Sequence, residues 1–380
     1  MSDAVTRREF IARGSAAAIA FAIPLRAIAG APSSLSAERH LLYVAEPGIR
    51  NYVEWGGIGV LVFDIDDGFR LVRRIPTMHL AAGESAENVK GTCASAATGR
   101  LYVSTIKRLL CIDLNTDALL WNREYEGGCD RMSITPDGRT IYLPTLEGPW
   151  WFVIDAASGD EITRIVRDSG AHNTICSLDG THAYLAGLKS PYLSVVDTRT
   201  RKVTSQVGPF GNVIRPFTID GAQRRCYVNV NDLLGFEIGD IRTSKVLQRV
   251  EVPGFKAGPV KRHGCPAHGI GLTPDERELW LCDGANSHVH VFDLTGSAPR
   301  LTHSIPVRDQ PGWVTFTLDG RYALPSTGEV VDVASKRITT TLADEGGHAV
   351  QSEKLLDVVF SDTRATRTGD QFGLGRRVTR

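Results

Sequence analysis

Short apolar stretches alternate with polar turns along this chain, and the alternation itself repeats. In one unit an apolar strand ends in the turn Thr135-Pro136-Asp137-Gly138 and a strand with an Ile-Tyr core follows. Then come an apolar run ending in Asp, Phe152-Val153-Ile154-Asp155, and a basic β-branched strand, Ile162-Thr163-Arg164-Ile165-Val166. The turn recurs at Asp179-Gly180, Asp220-Gly221, Asp275 and Asp319-Gly320, with a looser copy at Thr98-Gly99. Most spacings are about 40 residues, the period of a unit of four strands.

Units cover residues 90–126, 130–168, 172–210, 215–255, 268–307 and 313–344. Residues 40–45, 59–65 and 71–77 supply only three strands of a further unit and lack an innermost one. The missing strand stands at the other end, at residues 354–360. The chain is therefore expected to be all-β, a seven-bladed β-propeller of four-stranded blades. The C-terminal strand completes the first blade and leaves no sheet edge open. The expected boundaries are 38–361 for a single propeller and 362–380 for a flexible basic tail with Arg364, Arg367, Arg376, Arg377 and Arg380.

Strand direction sorts the connections. Counting strands outward from the axis, the first-to-second and third-to-fourth links are short turns of Asp, Gly and Thr, which nucleate turns. The other links share the opposite face and carry the long insertions 47–57, 78–89 and 253–267. Variable loops on one face of a repeat scaffold mark the place for function.

The residues that open each innermost strand converge on that face. They are Lys90, Asp130 with Arg131, His172 with Asn173, Arg215, His268, Trp313, and Glu353 with Lys354. Asp130, His172 and His268 align on the turn Asp. The stretch 261–269 adds Lys261, Arg262, His263, Cys265 and two glycines. Imidazole is both a common metal ligand and a base tunable near neutrality. His268, His172 and Arg131 are thus candidate catalytic groups. Lys90, Arg215, Asn173, Trp313, Lys261, Arg262 and His263 are candidate substrate contacts. His172 and His268 with a carboxylate, Asp130 or else Glu353, could hold a divalent metal with open positions. The cations suit a small anionic or carbohydrate-derived ligand, because guanidinium forks match carboxylates. Tyr52, Trp55 and Trp150 read as a flat platform beside them, and Trp121 and Trp151 as packing between blades. His288 and His290 share one side of a strand, where packing is the expected role.

Composition narrows the classes. Lys and Arg number 43 against 43 Asp and Glu, so there is no electrostatic case for nucleic acid. No G-x-S-x-G elbow, P-loop or dinucleotide fingerprint occurs. No CxxCH occurs either, so covalently attached haem is not expected. Of the seven cysteines, Cys93, Cys111, Cys176, Cys226 and Cys282 fall in expected strands as small buried hydrophobes. Thr6-Arg7-Arg8-Glu9-Phe10-Ile11 matches a twin-arginine export signature, followed by an apolar run and the small-x-small site Ala27-Ile28-Ala29. Residues 1–31 are read as a removed signal peptide of a periplasmic or secreted protein with no membrane span afterwards.

The units resemble the YVTN-type seven-bladed propeller family. Leu101-Tyr102-Val103, Leu193-Ser194-Val195-Val196-Asp197 and His268-Gly269-Ile270-Gly271-Leu272-Thr273-Pro274-Asp275 carry the likeness. It implies the fold over nearly the whole mature chain. The wider superfamily includes cytochrome d1-like domains, heavy chains of quinoprotein amine dehydrogenases, lactonases and metal-dependent lyases. Three functions are left open: a lyase or lactonase, a non-catalytic binding propeller, and a subunit docked on a periplasmic redox partner.

Overall fold

A computed structural model describes residues 38–78, 83–260 and 262–378. The twin-arginine segment and Lys261 lie outside the described residues.

Seven antiparallel sheets account for nearly all the secondary structure, six of four strands and one of five. The five-stranded sheet is the closure. Leu355–Ser361 pairs with Glu38–Glu46, which pairs with Gly59–Asp64, which pairs with Arg70–Ile75. The first blade is built from both ends of the propeller, as the complementary deficit in the repeat predicts.

The turn chemistry explains why the repeats fold alike. Thr135, Thr273 and Thr317 each donate a hydroxyl at 2.6 Å to the turn Asp two residues on, and Ser177 does so to Asp179 at 2.7 Å. The same carboxylates accept the amides of Arg139, Arg277, Arg321 and Thr181. The Asp ending each third strand does similar work one link later: Asp113, Asp155, Asp197, Asp240 and Asp332 accept amides two or three residues ahead. These side chains close tight turns without using a ladder bond.

One expectation fails at the C-terminus. In place of a flexible tail, Arg364–Thr368 adds a strand inside the closing strand, and Gln371, Phe372 and Leu374 are buried. Gln371 accepts the Thr92 amide at 3.0 Å, and the Trp313 indole N–H donates to its carbonyl. Gly373 O accepts from Leu272 N at 2.8 Å and Thr218 Oγ1 at 2.7 Å. Phe372 and Leu374 join a core cluster with Phe217 and Trp313. Reading the segment by its arginines missed the apolar pair spaced between them, which drives it into the channel.

Candidate functional site at the channel mouth

The ladders place one residue of each blade in a common ring. Opposite the second strand's central residue stand Cys93 (Tyr102), Ser133 (Tyr142), Ile175 (Tyr184), Thr218 (Tyr227), Gly271 (Trp280), Phe316 (Ala323) and Leu356 (Tyr43). Three residues before each lie Lys90, Asp130, His172, Arg215, His268, Trp313 and Glu353. The register therefore sets these seven residues at one level of the ring. The aromatic opposite position in six of seven blades is the packing that fixes it.

Within that ring the charges are connected. Lys90 Nζ lies 3.4 Å from Asp130 Oδ1, and Asp130 Oδ2 meets His172 Nδ1 at 2.6 Å. His172 Nε2 meets Arg131 Nη1 at 3.2 Å, and Arg131 Nη2 donates to Glu353 Oε2. Lys354 Nζ donates to the same oxygen at 2.8 Å and to Gly48 O at 2.7 Å. The Arg131 guanidinium lies 4.5 Å over the Trp313 ring. Arg131 must be the donor to His172, so His172 carries its proton on Nδ1, toward Asp130. Exposure is small throughout: Asp130 0%, Arg131 4%, His172 6%, His268 7% and Glu353 4%.

Burial and the neighbouring charges set the protonation states. Burial opposes ionisation of Asp130, but His172 first, then Lys90 and Arg131, hold its carboxyl down at about 2. Glu353 is held well below the usual range against the same penalty, by Lys354 and Arg131. Burial lowers His172, His263 and His268, His268 furthest, so these rings stay neutral. Burial also brings Lys354 down to about 7 in spite of Glu353 beside it.

His268 is set by its neighbours in the chain. Gly269 has φ +81°, and a Cβ there would lie 2.6 Å from both Gly312 O and Trp313 Cα. This close approach lets His268 Nδ1 donate to Gly312 O at 2.8 Å, which leaves the lone pair on Nε2. His263 stacks on His268, centroids 4.4 Å apart and planes at 16°.

Not every expected contact gathers here. Arg215 turns to Asn231 Oδ1 at 2.6 Å and Gly264 O at 3.4 Å. Arg262 lies 4.0 Å over Trp55 and donates to Asp309 O and Gln351 Oε1, both at 3.2 Å, tying the long insertion to neighbouring blades. Trp150 lies under Arg164 on the outer strands and packs against the cluster of Cys129, Met132 and Phe152. Trp151 bonds Thr174 between blades, and His290 is buried on Asp283 and Ser304. All seven cysteines are free and buried.

The grouping that could hold a cation is His263, His268 and Glu353, with ligand atoms within 4.8 Å of one another. His263 takes the place expected for His172, and Glu353 rather than Asp130 is the carboxylate, because His172 and Asp130 are bonded to each other and His172 Nε2 to Arg131. The two near-parallel rings cannot aim both lone pairs at one ion unless a ring turns. A Cβ on Gly312 would lie 2.0 Å from His263 Nε2, so that nitrogen rests against backbone. Glu353, the second carboxylate the sequence offers for a metal, and Lys354 form the electrostatic centre of the mouth. Their position at the same register as Asp130 and Arg131 was the available signal.

No family model matches the chain, and no curated protein does. Solved structures do match. A chain of Kuenenia stuttgartiensis hydrazine synthase is 14% identical with a TM-score of 0.57, over 77% of this chain and 90% of that one. A chain in a crystal structure of the Mitotic Checkpoint Complex is 11% identical with a TM-score of 0.59, over 87% and 97%. The likeness is one of fold. At such identities an enzyme and a protein assembly are equally similar to this propeller, and neither assigns its chemistry.

Proposed function

We propose that the mouth binds a small anionic, acid- or sugar-derived ligand and moves a proton on it, as a lyase or lactonase does. One observation carries the reading. Arg131 Nε is buried without a hydrogen-bond partner, and so are both side-chain atoms of Asn173, whose backbone bridges to that of Arg131. Buried orphan donors are costly, of order 1–3 kcal/mol each, and mark a place for an acceptor. A ligand carboxylate would accept from Arg131 Nε and Asn173 Nδ2. His268 Nε2 would take the proton next to the carboxylate, and the electron pair left behind would spread onto oxygens facing Arg131. Its return to form the C=C bond would break the β C–O bond, the departing alcohol taking the proton from His268. In lactone opening the same cation would face the tetrahedral oxyanion, with His268 activating water. No step here runs through a metal, given how the two rings stack. Residues 1–31 and the YVTN-type repeat support an exported member of that superfamily.

The test is turnover of uronate oligomers and lactones, read by the absorbance of unsaturated product and by acid release. His268→Ala should lower kcat by about 100-fold or more with KM little changed. Equal turnover in the variant would remove His268 from the chemistry. A second reading, a propeller that only binds a ligand or a periplasmic protein such as a redox partner, draws on the self-contained pairing of Asp130, Arg131, Glu353 and Lys354. It requires binding with no turnover of any such substrate.

A further inference from the structure

The face opposite the mouth holds a cavity of about 660 Å³, within the range of small-molecule sites, roughly 300–1,000 Å³. One wall is the far ends of inner strands, with Ser95, Ala96, Ile134 and Leu178, and the other is the C-terminal segment, with Arg364 and Phe372. Its charge is one-sided. Arg364, Arg367 and Arg376 line it against a single carboxylate, Asp370. That carboxylate is occupied by Arg376 at 2.8 Å and by the amides of Phe372 and Leu374 at 2.7 and 3.2 Å. Arg367 pairs with Glu38 at 2.6 Å. Arg364 is exposed and has no ion pair among the described residues. Ser95, 4% exposed, has a hydroxyl with no partner in the same lining.

We propose that this cavity is a second ligand site, separate from the mouth, for an amphipathic carboxylate. The apolar body would lie against Ile134, Leu178 and Phe372, and the headgroup would take Arg364. A cavity with an apolar wall, a cationic excess and one unpaired cation is complementary to that chemistry and opposed to a cationic amphiphile.

Calorimetric titration of the full chain with dodecanoate tests it. The expected result is saturable one-site binding, weakened at least about fivefold in Arg364→Gln and abolished in Ala96→Trp, which fills the cavity. Dodecyltrimethylammonium should not bind, and Asn173→Ala at the mouth should leave dodecanoate affinity unchanged. Thermal unfolding of each variant establishes that it is folded. No saturable binding, equal affinity in Arg364→Gln or for the ammonium, or loss in Asn173→Ala would each overturn the assignment.

Discussion

Replacing Glu353 by Gln should destabilise the protein by an amount that depends on pH in a defined direction. The substitution keeps the side chain's shape and removes the one charge that Arg131 Nη2 and Lys354 Nζ share. Breaking a buried pair by removing one partner costs about 3–5 kcal/mol, because the remaining charge stays buried. Lys354, however, can escape. Its ammonium already titrates at about 7, and Glu353 is what raises it against burial and the Arg131 charge. Without Glu353 it sheds its proton at lower pH. The unfolded lysine stays protonated from pH 8.5 to 5.5, so acid costs the variant, whose folded Lys354 stays neutral further down, more stability than it costs the native protein. Above pH 8 Lys354 is neutral in both proteins, and only the lost partner of Arg131 counts. The destabilisation should therefore shrink by at least about 1 kcal/mol between pH 5.5 and pH 8.5. Urea unfolding followed by tryptophan fluorescence at both pH values measures it. A loss under about 1 kcal/mol at both, or one that grows with pH, would refute the coupling of Glu353 to Lys354.

Asp130 makes a separable contribution to acid stability. Its carboxyl is lowered from 3.8 to about 2, so it stabilises the fold by about 2 kcal/mol above pH 4 and loses that as pH falls toward 2. Asp130→Asn should flatten the stability profile over that window while leaving the limb above neutrality unchanged, as acid titration of the unfolding midpoint would report. Trp313→Phe removes the indole N–H that donates to the Gln371 carbonyl and weakens the platform under Arg131. It should cost about 2 kcal/mol and raise hydrogen exchange at residues 371–375 while the blades stay protected.

The blade repeat was legible in the sequence because its turns are made by side chains. A Thr or Ser and an Asp two residues apart can be read directly, and their spacing carries the strand count. Asp130, His172 and His268 were legible for the same reason, since each stands seven residues before its turn Asp, and Lys90, Arg215, Trp313 and Glu353 followed from where each innermost strand opens. Which of those residues touch was not. Asp130 closes on His172 because Arg131 donates to the far nitrogen, and that needs three-dimensional proximity between blades. The stacking of His263 on His268 depends on the backbone approach at Gly269 and Gly312, which no spacing announces. The C-terminal segment was misjudged because its arginines outnumber Phe372 and Leu374, although the apolar pair decides where it goes.

A crystal structure of the protein soaked with galacturonate tests the central claim most directly. The account predicts density at the channel mouth, with the sugar carboxylate within hydrogen-bond distance of Arg131 Nε and Asn173 Nδ2 and its ring beside His268. Galacturonate bound only elsewhere, or a mouth still closed on the Asp130–His172–Arg131–Glu353 network at saturating ligand, would contradict it.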